Sequence, residues 1–250
     1  MRDPKLKELW ASQGATFVMW RDQEVVSSFG ALSVELEAAT QGVAIADRNE
    51  RGVFTGEGSE VVTLIQGLVT GDMHTLEPPG AGMVTTAVDL KGRLVADLRV
   101  FHMPDALIFD AEAEAAQAFL GHARRHVIME DAKFRDRSAT TCRLLILGPE
   151  AAATLDRVGR FVAPVASLRP YHATWGRVGP VETVLQATPD FGVPAFEIFC
   201  PTESAVGLVT RLLAFATPVG FDALETLRIQ TGYPRWGVEL DTKIIRSRPT

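Results

Sequence analysis

Three charged residues stand where the surrounding pattern calls for apolar ones, and each has a side chain that can do chemistry. Asp97 lies in "RLVADLRVF", among Leu94, Val95, Leu98, Val100 and Phe101. Glu197 lies in "VPAFEIFCP", between Phe196 and Ile198. Arg228 lies in "ETLRIQTGYPRWG", on the stripe that Phe221, Leu224, Leu227 and Thr231 mark at helical spacing. A guanidinium keeps its charge, and burying it without a counter-charge costs several kcal/mol, so Arg228 must face something anionic. Carboxylates and a guanidinium that converge in one pocket suit a polar heterocycle or an amine. On residue grounds alone two other readings stay open. Each residue is a solvent-facing member of its strand or helix, or Glu197 and Arg228 form a structural ion pair.

Strand alternation assigns faces to the two acids. Asp97 shares one face with Val95 and Arg99, while Ala96, Leu98 and Val100 share the other; Glu197 shares its face with Ala195 and Phe199.

Other chemistries find less support. "TGEGSE" (Thr55–Glu60) joins a strand to a helix, but Val61 occupies the third glycine position of a dinucleotide-binding loop, so a tight turn accounts for it. Of the five histidines, only His122 and His126 sit at ligand spacing, with Arg124 and Arg125 between them and no acid ligand nearby; they read as a helix surface. Cys142 and Cys200 lack metal-ligand spacing and are too few for a disulfide framework, which predicts reduced, buried thiols. No metal is expected.

The elements that must position these residues follow from pattern. A helix is expected over Pro4 to about Gln13, and a second over Ala31 to Gly42. "GVFTGEGSEVVTLIQGLV" reads strand, glycine turn, helix, with Ser59 as the N-cap. The same grammar returns about 90 residues later in "CRLLILGPEAAATLDRVG", which suggests two related α+β halves. Between them, "MVTTAVDLKGRLVADLRVFHM" predicts a hairpin turning at Gly92. "ALIFDA" continues the meander and Glu112–His126 forms a helix. Further helices are expected over Glu203–Ala216 and from Phe221 to Gly232. Small mixed groups of strands and helices, with no long βαβαβ series, indicate an α+β fold with antiparallel sheets.

The chain has 250 residues, 46% of them hydrophobic, enough for one large or two ordinary domains. Its net charge of −6 argues against a nucleic-acid surface, and the most basic stretch, "RRHVIMEDAKFRDR", is diluted by three acids. No apolar run approaches the length of a membrane span, and the N-terminus lacks a signal-peptide core, so a soluble, cytoplasmic protein is expected.

With these motifs in view, the chain resembles the glycine-cleavage T-protein superfamily, which includes aminomethyltransferases and the YgfZ folate-binding proteins. The segment from "GVAIADRNERGVF" through "DLKGRLVADLRVF", then "LLILGPEAAATL", "AFEIFCP" and "PVGFDALETLRIQTGYPRWGVELD", follows the family progression in order from about residue 31 to 241. The resemblance implies two ferredoxin-like, mixed antiparallel α+β subdomains without the family's C-terminal β-barrel. It divides the chain into a discontinuous first domain, 1–48 with 139–250, and an inserted second domain, 49–138. It implies tetrahydrofolate as cofactor, with Glu197 and Arg228 as folate-binding residues and Asp97 as the catalytic carboxylate.

Ala96 replaces the first acid of the T-protein's acid pair, Gln230 replaces a family glutamate, and the YgfZ signature KGCYxGQE is absent. The resemblance is nearest the YgfZ-like branch. The leading expectation is therefore an accessory folate-binding protein of one-carbon or iron–sulfur metabolism, the alternative a folate-dependent aminomethyltransferase or demethylase. Folate is the expected small-molecule partner, with a further protein or subunit supplying a missing domain.

Overall fold

The two strand–glycine–helix segments fold alike in the computed structural model, which describes residues 3–243. In one, strand Arg51–Glu57 passes through Gly58 into helix Val61–Gln66. In the other, strand Thr141–Leu147 passes through Gly148 into helix Ala151–Val158. Both glycines adopt φ +119°, a region that side-chain-bearing residues avoid. A Cβ at either would stand 2.2 Å from a carbonyl oxygen, that of Asp131 at Gly58 and that of Gly42 at Gly148. Ser59 does not cap its helix as expected. The tight turn brings Asp131 against it, and both the Ser59 N–H (2.9 Å) and Oγ (2.8 Å) donate to the Asp131 carboxylate.

The described residues form two units, each built on one such segment. The first comprises the residues up to Glu50 together with Ala139–Tyr233. Its seven-stranded sheet runs Gly159–Phe161, Ala173–Val178, Val181–Thr188, Ala195–Pro201, Thr141–Leu147, Ala44–Asp47, Thr217–Pro218. It is antiparallel throughout except at the last pair. One face presents Ile45, Leu144, Ile146, Leu185 and Ile198 to helices Pro4–Ser12, Ala151–Val158 and Ala205–Leu212. On the other face Ala44, Ala46, Leu145, Leu147 and Ala195 pack against helix Phe221–Thr231 through Ala223, Leu224 and Leu227. Gly232, in the left-handed region at φ 71°, closes that helix.

The second unit is Arg51–Ser138 with the described residues from Pro234. Its sheet runs Gly82–Val88, Leu94–Met103, Ala106–Glu112, Arg51–Glu57, Lys133–Asp136, all antiparallel. The expected hairpin is present: Asp89 Oδ1 accepts from the Lys91 and Arg93 N–H groups, and Gly92 supplies a φ of 75°. Helix Ala113–His126 lays Ala115, Ala116, Phe119, Leu120 and Ala123 on one sheet face, over Phe54 and Phe109, whose rings stack at 4.7 Å. Trp236 is buried in the same core, which is why the chain from Pro234 packs here although the sequence reading carried the first domain on to 250. The last seven residues of that range lie outside the described residues. Among the described residues no helix is long and apolar enough to cross a membrane.

The Gly148 turn yields a stability prediction. Gly148→Ala is expected to lower stability by at least about 2 kcal/mol, because strain at positive φ adds to the clash with the Gly42 carbonyl. Gly30→Ala, with nothing within 4 Å of its Cβ, serves as the near-neutral control. Urea denaturation of the two variants checks this.

Candidate functional site

In each of the two large sheets, buried charged side chains lie on the face opposite the larger helix-covered apolar core. In the first unit the charged face centres on Glu197. The Glu197 strand pairs with Val181–Thr188 on one side and Thr141–Leu147 on the other, placing Gln186 and Leu145 directly opposite Glu197. Phe196, Ile198 and Cys200 point into the helical core, so the alternation sends Glu197 to the opposite face. It has no exposed surface.

Two arginines answer that buried charge. Arg143 Nη2 lies 3.0 Å from Glu197 Oε2, and Arg48 Nε lies 3.4 Å from Oε1. Both guanidinium groups are themselves 1–2% exposed. Arg48 Nη1 also meets Glu50 at 3.2 Å. Their backbones are tied together, Arg48 N–H to the Arg143 carbonyl and Arg143 N–H to Asn49 Oδ1, so the cations are held by the sheet. Phe191 and Phe199 lie beneath them, with the guanidinium carbons 5.6 and 4.9 Å from the ring centres. Nevertheless neither Glu197 oxygen accepts a hydrogen bond of good geometry from any described residue. An ionised carboxylate has about four acceptor sites. Glu197 is thus balanced in charge, and with one guanidinium contact per oxygen it has acceptor sites to spare.

Arg228 belongs to the same unit, and the anion its helix stripe demanded is three residues away. Its Nε donates to Glu225 Oε2 at 3.0 Å and its Nη2 to Glu225 Oε1, a two-pronged pair, while Nη1 donates to the Tyr233 carbonyl. The guanidinium partners of Glu197 are those of Arg48 and Arg143. The ion pair between Glu197 and Arg228 that the sequence left open is replaced, for each residue, by these nearer partners.

Asp97 belongs to the second unit. It is half-buried on the strand Leu94–Met103, opposite Thr86, and on the face that also carries Arg99. Ala96, Leu98 and Val100 face the helical core. Ala96, at the position of the first acid of the pair, therefore points away from Asp97, into apolar packing.

Beside Asp97 the face carries a charge network that sequence reasoning missed. Arg51 clasps Asp110 through Nε (2.9 Å) and Nη2 (3.1 Å) and reaches Glu112 at 2.6 Å. Arg99 meets Asp110 at 3.5 Å, and Arg235 meets Glu112 at 3.3 Å. Burial and the neighbouring Arg99 both work against the Arg51 charge, but Asp110 and Glu112 outweigh them and raise its pKa above the ordinary arginine value. The signal in the sequence was the alternation itself: Arg51 opposite Glu112, Arg99 opposite Asp110.

The remaining candidates have structural settings. Cys142 and Cys200 are free and buried, directly opposite each other on neighbouring strands. The hydrogen bond with Cys200, then burial, holds the Cys142 thiol well above its usual pKa. His126 Nδ1 contacts the His122 carbonyl, and burial, followed by His126 and Arg125, lowers the His122 pKa. Among the described residues no three His, Cys, Asp or Glu side chains are grouped to hold a metal ion.

Comparisons with known proteins bear on the whole chain. The family model described as the GCVT N-terminal domain matches residues 6–246. The chain is 28% identical to the aminomethyltransferase of Geobacillus kaustophilus, covering 96% of this chain and 66% of that protein. It is 27% identical to that of Rubrobacter xylanophilus, covering 96% and 64%. It thus spans just under two thirds of these relatives. Its fold is similar to that of the glycine cleavage system aminomethyltransferase T of Bartonella henselae, with a TM-score of 0.83 at 19% identity over 94% of this chain and 64% of that one. The YgfZ-like branch finds no specific support among these matches.

The network beside Asp97 makes a second prediction. Asp110→Ala leaves Arg51 and Arg99 without their shared acid in a dry setting, and is expected to cost about 3 kcal/mol or more. Loss of that amount on urea denaturation checks it.

Proposed function

This chain belongs to the family of GCVT N-terminal domains, and from that premise we propose that it binds tetrahydrofolate and takes part in transferring a one-carbon unit from an amine donor to it. The observation that carries the reading is Glu197: a carboxylate with no exposed surface, balanced in charge by Arg48 and Arg143, neither of whose oxygens accepts a hydrogen bond of good geometry. A tetrahydropterin presents an N–H and an exocyclic amine side by side. A carboxylate accepts such a pair in two parallel hydrogen bonds. The residues present therefore fit the group.

In this reading Glu197 is the pterin acceptor. Arg228 accompanies it as the cation that fixes Glu225 and the Tyr233 carbonyl at the end of its helix. Asp97 is the catalytic carboxylate. It offsets positive charge that develops at the transferring carbon, or takes the proton released as the new bond forms. What tetrahydrofolate supplies is the nitrogen that accepts the carbon.

The transferase reading is favoured over the accessory, YgfZ-like one. The two relatives named above, each matching 96% of this chain, are aminomethyltransferases. The replaced acid, which had counted toward the accessory class, sits at a core-facing position rather than beside Asp97.

Two measurements test the proposal. Calorimetric titration with tetrahydrofolate is expected to show saturable binding that Glu197→Gln weakens by about 10- to 100-fold, the range for a hydrogen bond to a charged group. No heat at millimolar ligand refutes the folate reading. Asp97→Asn is expected to leave that affinity within about threefold while one-carbon transfer from an aminomethyl donor falls at least about 100-fold. Unchanged transfer removes Asp97 from the mechanism.

A further inference from the structure

The charged face of the first unit holds a second acceptor beside Glu197. Gln186 lies directly opposite Glu197 in the antiparallel register, and it too has no exposed surface. Its amide is oriented by the backbone: Nε2 donates to the Tyr171 carbonyl at 3.0 Å, which accepts only, so Oε1 is the atom left to accept. Tyr171 is held in turn, in the left-handed region at φ 65°, by its N–H to the Ala187 carbonyl and its hydroxyl to Asp190. That region is rarely occupied by non-glycine residues, and the Tyr171 carbonyl it positions is the acceptor for Gln186 Nε2. Yet Gln186 Oε1 receives no hydrogen bond from any described residue. The same is true of Thr188 Oγ1, two residues on along the same strand face and 4% exposed.

A buried acceptor left without a donor costs about 1–3 kcal/mol, and this face carries several in a row. Structural ion pairing explains Arg48, Arg143 and the charge of Glu197, but it does not explain a neutral amide oxygen held in place with nothing to accept. Neutrality is itself informative. A second carboxylate at 186 would add a like charge beside Glu197, whereas an amide adds acceptor capacity at no such cost.

We propose that Gln186 reads the ligand: its Oε1 accepts the second N–H of the 2-amino group on an amino-oxo heterocycle whose first N–H and ring N–H go to Glu197. This rests on the tetrahydrofolate reading. It goes beyond it in making the unsubstituted exocyclic amine, not just the ring edge, the feature selected. The donor edge offers three N–H groups, and Glu197 with Gln186 supplies acceptors for all three.

The test compares tetrahydrofolate with its 2-methylamino analogue, in which one exocyclic N–H is replaced and the other two donors remain. Binding of both to the wild-type chain and to Gln186→Ala is measured by calorimetry, with thermal melts to show that the variant is folded. The wild-type chain is expected to bind tetrahydrofolate about tenfold or more tightly than the analogue. Gln186→Ala is expected to bind tetrahydrofolate about tenfold more weakly than wild type does and to lose the preference, since the shortened side chain leaves room for the methyl group. Unchanged tetrahydrofolate affinity in a folded Gln186→Ala overturns the inference while the folate reading stands; that is the result if a buried water satisfies Oε1 instead. Should the variant fail to fold, equal wild-type affinity for the two ligands overturns it. If the wild-type chain binds neither, the folate reading falls and this inference falls with it.

Discussion

A carboxylate with no exposed surface cannot stay ionised unless something replaces the water it has lost, and the first unit is arranged around supplying that replacement at Glu197. Moving such a group out of water costs several kcal/mol even after relaxation. The return comes from Arg143 and Arg48, which the strand edges hold at 3.0 and 3.4 Å. This arrangement requires that neighbouring strands be locked in register, because a slip of one residue would turn Glu197 into the apolar core and Ile198 out of it. The register is secured from the other side, where Ile146, Ile198 and Cys200 interlock beneath the helices. Charge burial on one face thus depends on hydrophobic packing on the opposite one.

The second unit meets the same demand with a different balance. There Asp110 and Glu112 are paired with Arg51, Arg99 and Arg235, in two-pronged and bridging pairs. A network of this kind holds strands together. Glu197 differs because its two cations balance it at 3.0 and 3.4 Å while neither oxygen accepts a hydrogen bond of good geometry. That contrast, between acids clasped in arginine hydrogen bonds and an acid that accepts none of good geometry, is the physical ground for placing ligand recognition at Glu197.

Much of the scaffold was legible in the sequence. The paired strand–glycine–helix segments, the Asp89–Gly92 hairpin and the helices before His126 and Gly232 all rest on local signals, glycine at positive φ and apolar periodicity, that tertiary packing did not override. Asp97, Glu197 and Arg228 stood out because each interrupts an apolar pattern. Arg143 interrupts one too, in "CRLLIL", but the strand is buried on both faces, so its pattern is continuous rather than alternating and the single cation was read through. Arg48 and Glu50, in "DRNER", look like a solvated turn. Only the pairing of strands nearly 100 and 150 residues apart brings them to Arg143 and Glu197. Gln186 gives no sequence signal at all, since its meaning lies in the register opposite Glu197 and in an unusual backbone at Tyr171. Ser59 was misassigned for a related reason: its acceptor, Asp131, is remote in sequence.

The central claim is that the open oxygens of Glu197 are the acceptors for a pterin edge. A crystal structure of this chain grown with tetrahydrofolate tests it most directly. The account predicts both Glu197 oxygens within about 2.7–3.1 Å of pterin nitrogens, with Arg48 and Arg143 still flanking the carboxylate. A pterin seated elsewhere, with the Glu197 oxygens turned wholly onto the two arginines, would contradict it.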